Sequence, residues 1–155
     1  MATSAVPGAM AALLEILRAA DGLTGVDVID GPPVDDVATS DFLAVGWSGS
    51  DEQGVESAQD FNAAGARTRD EDFTIGCVID VWSGDDAFAT VRGRAFDLLG
   101  VVEEAIRATG PNPEAPTLNG AVLWAHLTRA SLRQSFTDQG ARVALGFTVS
   151  CHARI

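Results

Sequence analysis

Few residues in this chain have types suited to catalysis, and their spacing decides what they can do. Gly46-Trp47-Ser48-Gly49-Ser50 comes within one position of a nucleophile elbow, the sharp turn that lifts a serine above a sheet. Position 50 departs from the required glycine, and no helical pattern follows, as that motif demands. His126 and His152 are the only histidines, and both fall in runs that read as strands. His152 stands next to Cys151, but neighbours along a strand point to opposite faces and make no ligand pair. No Cys-x-x-Cys or His-x-x-x-His spacing favours zinc. No glycine-rich loop joins a strand to a helix as a phosphate cradle would. The acids Asp35-Asp36, Asp51-Glu52 and Asp70-Glu71-Asp72 lack the alternating ligands and central glycine of a calcium loop, and read as solvated charge. No catalytic, cofactor-binding or metal-ligating residue is therefore assigned, and a non-enzymatic protein is expected.

Composition points the same way. All ten basic residues are arginine, which removes Schiff-base, phosphate-loop and general-base lysine chemistry. The net charge is −12, and it is uneven: residues 1–72 hold fourteen acids against three Arg, and the remainder eight against seven. Such a surface repels phosphate backbones, which argues against ordinary nucleic-acid binding. A length of 155 residues with 46% hydrophobic content suits one domain with a real core. No apolar run approaches the ~20 residues of a membrane span, and Met1 to Gly8 carries no basic region of a signal or transit peptide. A cytosolic, non-membrane chain is expected. Cys77 and Cys151 each sit inside alternating apolar runs, where a free thiol packs as a small hydrophobe.

The elements that would position these residues follow from periodicity. Pro7 suits a first helical turn, and Met10, Leu13, Leu14 and Leu17 recur at helical spacing until Asp21-Gly22. Residues 26–29 form a short strand stopped by Gly31-Pro32-Pro33. Residues 41–47 form a second, with Leu43, Val45 and Trp47 on one face. Asp72 to Trp82 is the clearest strand, alternating Phe73, Ile75, Cys77, Ile79 and Val81 against polar neighbours. Ser83 with Asp86 three residues on resembles a capping box. The helix it opens is predicted to run to about Thr109, with Phe88, Val91, Ala95, Leu98, Leu99, Val102 and Ile106 as its core stripe. Residues 121–136 are ambiguous by period, but the alternation from Val143 to Ala153 makes a long strand whose natural partner precedes it across a hairpin. The expected fold is α+β: a mostly antiparallel mixed sheet of about five strands, with one long and one shorter helix packed on it.

Two features stand outside this scheme. Residues 48–70 are polar with almost no apolar period, and read either as a disordered surface loop or as an arm that orders against a neighbouring subunit. Gly93 and Gly100 fall opposite the core stripe of the long helix. Each costs about 1 kcal/mol of helix propensity. They either admit the close approach of another chain or lie on a neutral solvated face.

The order of these pieces resembles the tail terminator proteins of long-tailed phages from actinobacterial hosts. The likeness is carried by Val-Asp-Val-Ile-Asp-Gly-Pro-Pro at 26–33, Asp-Phe-Leu-Ala-Val-Gly-Trp at 41–47, and Phe73-Thr74-Ile75-Gly76-Cys77. It continues through Arg94-Ala95-Phe96, Val-Glu-Glu-Ala-Ile-Arg at 102–107, Leu132-Arg133-Gln134, Gly140-Ala141-Arg142-Val143 and Phe147-Thr148-Val149-Ser150-Cys151. It spans about residues 10–154 without any single diagnostic motif. The resemblance implies one domain over 1–155 with the polar loop at about 48–70. It implies a homo-oligomeric ring, a hexamer, at the head-proximal end of the tail in the virion, assembled in the host cytoplasm. Such a ring ends tube polymerisation and contacts the tail tube protein and the head–tail connector, while DNA passes without specific binding and no cofactor is needed. Asp51, Glu52, Glu56, Asp60, Phe61, Gly93 and Gly100 are the candidate lumen or subunit-interface residues. The alternatives are another neck or tube component, an accessory protein of a contractile injection device, and a small α+β ligand-binding domain using Thr148, Ser150 and His152.

Overall fold

The computed structural model describes residues 2–34, 41–49, 53–65, 67–84, 87–107, 114–138 and 140–155. Helix α1 spans Val6–Arg18, with Pro7 in its first turn, and a 3-10 turn at Asp21–Leu23 follows. Strands β1 (Asp27–Asp30), β2 (Phe42–Val45), β3 (Val55–Phe61) and β4 (Arg69–Ser83) come next. Helix α2 (Phe88–Ile106) leads to a 3-10 turn at Ala115–Thr117 and the hairpin of β5 (Trp124–Thr137) with β6 (Gly140–Arg154). The expected α+β architecture is present, with six strands in one mixed sheet.

The sheet order is β1-β2-β4-β6-β5, with β3 also on β4. Among the described strands the β1–β2 pair is parallel and the rest are antiparallel. β4 is the spine. One of its edges pairs with β6 from Asp70↔Arg154 to Ser83↔Ala141. Its other edge is shared, with β3 against 69–75 and β2 against 77–80. Gly76 is the seam between them. Its N–H donates to Gly54 O at 2.7 Å, and its carbonyl accepts from Gly46 N at 2.8 Å and Trp47 N at 3.1 Å. The seam is so tight that a Cβ on Gly54 would lie 2.0 Å from Gly46 O.

Both helices pack on one face of the sheet. Ala9, Leu13 and Leu17 of α1, and Val91, Ala95, Leu98, Val102 and Ile106 of α2, meet the inward side chains of β2, β4 and β6 in one continuous core. Burial on β6 alternates throughout, as a half-buried strand requires. Cys77 and Cys151 lie in this core as free thiols, and burial pushes each pKa up to about 12.

One acid is also buried there. Glu71 is 0% exposed on the helix-bearing face. Its carboxylate accepts from Ala5 N and Ser57 Oγ, each at 2.7 Å, and from Ser4 Oγ at 2.5 Å. Ala5 is the N-cap of α1 and has no side-chain cap of its own. Glu71 therefore supplies the negative charge and acceptor that the open first turn needs. Burial raises its pKa, but the bonds from Ala5, Ser4, Ser57 and Gln59 outweigh that and leave it below the ordinary carboxylate value.

Four expectations are corrected. The polar stretch at 48–70 contains a strand, β3, whose edge position leaves it exposed and so without an apolar period. Ser83 does not cap the long helix, because it is the last residue of β4 and the helix starts at Phe88 with Ala87 as its N-cap; Asp86 lies outside the described residues. The long helix ends at Ile106, where Arg107 turns to extended backbone, before the expected Thr109, which lies outside the described residues. Trp47 does not share a face with Leu43 and Val45: Gly46 takes φ +80° and breaks the alternation, and the Trp47 ring packs 6.4 Å from Phe42 on the other face.

Two outcomes follow. Gly54→Ala drives a methyl into a backbone carbonyl, and is expected to lower stability by about 3 kcal/mol in denaturant unfolding. For Glu71, the folded pKa lies below the unfolded one, so its stabilisation is full above the unfolded value and is lost as pH falls through the folded value. Wild-type unfolding midpoints measured between about pH 6 and about pH 3 should therefore fall with acid. Glu71→Gln should start lower and show a flatter dependence over that window.

Candidate assembly surface

The face of the sheet opposite the helices is set by register. β3 contributes Glu56, Ala58 and Asp60, and β4 contributes Asp70, Asp72, Thr74, Gly76, Val78, Asp80 and Trp82. β6 adds Arg142, Ala144, Gly146, Thr148, Ser150 and His152, and β5 adds Trp124, His126, Arg129, Ser131, Arg133 and Ser135. Charge is segregated along the strands. Asp60, Asp70 and Asp72 gather near the turn of the β3–β4 hairpin with Glu56 farther along β3, while Arg129 and Arg133 lie on β5.

At the acidic end His152 Nδ1 is 2.7 Å from Asp72 Oδ1, and Arg154 Nε donates to Asp70 Oδ1 at 3.0 Å. The Trp124 ring stacks with both histidines, His126 at 4.7 Å and His152 at 5.7 Å between centroids. Trp124 and His126 share a face of β5 by alternation, and the β5–β6 register brings His152 to them. Ser150 lines a groove of about 700 Å³ with Trp124, Thr74, Glu56 and Asp72. It is open and bordered by carboxylates, unlike the enclosed apolar pocket that a small ligand prefers.

Toward the other end, Asp80 is buried beneath Arg142, whose Nε and Nη2 grip both carboxylate oxygens at 2.8–3.1 Å. The hydrogen bond to Asp80 holds the Arg142 pKa above its ordinary value. Arg133 reaches across the face to Gly49 O at 3.3 Å, over a depression of about 590 Å³ that Trp47, Asp80 and Arg142 also line.

The candidates named from sequence divide between surfaces. Asp51 and Glu52 lie outside the described residues. Glu56 and Asp60 are exposed on the open face of β3, and Phe61, 70% exposed, ends that strand on the helix-bearing face. Gly93 and Gly100 are exposed on the outer side of α2, and a methyl added at either would have no other atom within 4 Å. They belong to a different layer from the acids, so the seven do not form one patch.

Sequence reasoning expected β5 as the hairpin partner of β6 but named no surface residue on it. From Thr128 to Thr137 every residue of this strand is exposed on both faces. Among the described residues it pairs only with β6, so there its other edge presents unpaired backbone donors and acceptors along most of its length. A bulge at Thr128 shifts its register. On the helix-bearing side its Phe136, 66% exposed, meets Phe88 of α2 edge-on at 4.6 Å, and Gln134 accepts from Arg92 at 2.7 Å. The signal in the sequence is two arginines four apart in a segment with no acid. β3 is the opposite free edge of the antiparallel part, and carries two acids and no base. Among the described residues, no group of three or more His, Cys, Asp or Glu is placed to hold a metal ion.

The same fold occurs among solved structures. A chain in the virion of a native gene transfer agent particle matches with a TM-score of 0.57, covering 98% of this chain and 100% of that one at 15% identity. At this identity the likeness is one of fold. No family model and no curated protein matches the chain.

The buried ion pair gives a test of how the open face is held. Arg142→Ala leaves the Asp80 carboxylate buried without its partner, and is expected to cost about 3 kcal/mol. Replacing both with apolar residues of similar volume should cost clearly less, read as denaturation midpoints of the single and paired variants.

Proposed function

We propose that this chain is a structural subunit of a phage-like virion, and that its place there is the tail terminator. The observation that carries the reading is the match in fold, over essentially the full length of both chains, to a component of a gene transfer agent virion. The surface is consistent with assembly. Two free sheet edges of opposite charge lie on opposite sides of the subunit, as a head-to-tail ring requires. In this reading six copies ring the head-proximal end of the tail tube, stop its polymerisation and present a surface to the head connector. The net charge of −12 lets DNA pass without adhering, since like charges release no counterions. The acids of 51–60 face the lumen or a subunit joint.

The first test is location. Immunogold electron microscopy on tails and whole particles should place label at the head-proximal tip. Label along the tube would make the chain a tube protein, and particles without label would end the virion reading. The second is the acidic segment: Asp51→Asn, Glu52→Gln, Glu56→Gln and Asp60→Asn together should reduce completed tails. A normal particle yield from that variant would remove these acids from the assembly role.

A further inference from the structure

We infer that the subunit joins a second copy of itself edge to edge, with β5 of one copy paired antiparallel to β3 of the next and Arg133 and Arg129 facing the next copy's Glu56 and Asp60. The inference rests on the ring reading for its biological setting, but its geometry comes from this chain alone.

Four observations meet in it. β3 and β5 are the two unpaired edges of the strand series β3-β4-β6-β5. Each neighbour in that series is antiparallel, so β3 and β5 run in opposite directions. Copies set side by side in the same orientation therefore continue the antiparallel alternation across the joint. The charges then correspond. Arg129 and Arg133 lie on the open face of β5, opposite Thr148 and Ala144 of β6. Glu56 and Asp60 lie on the same face of β3, opposite Thr74 and Asp70 of β4. Both pairs are spaced by four residues. Placing Arg133 against the next copy's Glu56 thus brings Arg129 against its Asp60, with faces preserved.

The same register sets the length and stop of the joint. β3 residues 55–60 pair with β5 residues 134–129; the joint ends on one side where the Thr128 bulge breaks the ladder, and on the other where β1, paired with β2 up to Val45, fills the next strand position, so Ser135–Thr137 lie beyond the joint. On the helix-bearing face the next copy's Gln59 falls opposite Ala130, and its Phe61 lies just beyond, beside the bulge. That gives the 70%-exposed Phe61 ring an apolar neighbour.

The competing self-contacts are disfavoured by the same charges. A β5–β5 contact sets arginine against arginine, and a β3–β3 contact sets acid against acid. Like charges in a joint cost several kcal/mol. Of the three joints that β3 and β5 can make, the head-to-tail one alone matches charge, and a head-to-tail contact either closes a ring or extends. Arg129 makes no ion pair among the described residues, and Arg133 holds only the neutral Gly49 carbonyl, a bond weaker than one to a carboxylate.

Two experiments test it. In sedimentation at rising concentration, wild-type protein should move from 16.1 kDa to multiples of that mass. Glu56→Arg/Asp60→Arg and Arg129→Glu/Arg133→Glu should each weaken association at least about tenfold. Mixing those two proteins, or combining all four substitutions in one chain, should restore it. Circular dichroism melts check that the variants fold, and the milder pair Asp60→Arg and Arg129→Glu leaves the Gly49 contact intact. Because both native cysteines are buried, Gln59→Cys/Ala130→Cys gives a cleaner second readout. Oxidation should produce a ladder of linked subunits, with no links in either single-cysteine variant. Linking through Ala130→Cys alone, absence of a ladder, or mixtures that fail to reassociate would each overturn the joint. Rings that form normally despite the charge reversals would sink the joint and leave the ring reading standing. Failure of virion labelling would do the reverse.

Discussion

One edge of one strand carries two partners in succession, and the rest of the molecule is arranged around that fact. β4 is fifteen residues long, and its edge away from β6 is occupied twice, first by β3 and then by β2. The chain must leave the sheet after Val45 and return nine residues later to continue the same edge, with both ends bonded to Gly76. This is possible only because Gly54 has no side chain and Gly46 takes a left-handed conformation. The seam places β3 collinear with β2 and beyond the reach of the helices. It therefore creates the free, acidic edge. It also sends Trp47 to the open face, where it covers Phe42 instead of joining the main core.

The two faces of the sheet are held by different means. The helix-bearing face is apolar and closed, apart from Glu71, whose bonds to Ala5, Ser4 and Ser57 tie the start of α1 to the β3–β4 hairpin. Each of its oxygens has a donor, which is why one carboxylate can persist in the core. The open face is polar and held by ion pairs and hydrogen bonds: Arg142 on Asp80, Arg154 on Asp70, and His152 hydrogen-bonded to Asp72. Each of these pairs joins β6 to β4, so the central ladder is the reinforced part of that face.

Much of this is legible in the sequence wherever a strand or helix has one buried face. α1, β4, β6 and the core stripe of α2 follow directly from period, because the helices cover those positions. β3 is not legible, for a definite reason. Its inward positions Ser57 and Gln59 are polar because they serve Glu71 and the N-terminal segment, and of its outward ones Glu56 and Asp60 are charged. β5 is ambiguous because only its first few residues lie under the core, and the rest are exposed on both faces. The surface candidates divide in the same way. Glu56, Asp60 and Phe61 stand out in the sequence for the polarity of their segment alone, while Arg129 and Arg133 acquire meaning only from register. That Ser83 does not cap the long helix shows the limit of local motifs: pairing with Ala141 keeps that residue in the strand.

The β4–β6 ladder has a kinetic side as well. Asp70 and Arg154 are 84 residues apart in the chain yet bonded in the fold. Contacts so distant in sequence close loops at high entropic cost before they repay it, and folds built on them form in milliseconds to seconds instead of microseconds. During synthesis β6 emerges after every other element of the sheet, and it is the strand that β5 pairs with. The exposed edge of β5 thus comes into being with that strand. A chain halted before β6 has no finished edge to offer, and partly made subunits are kept out of any assembly that reads it.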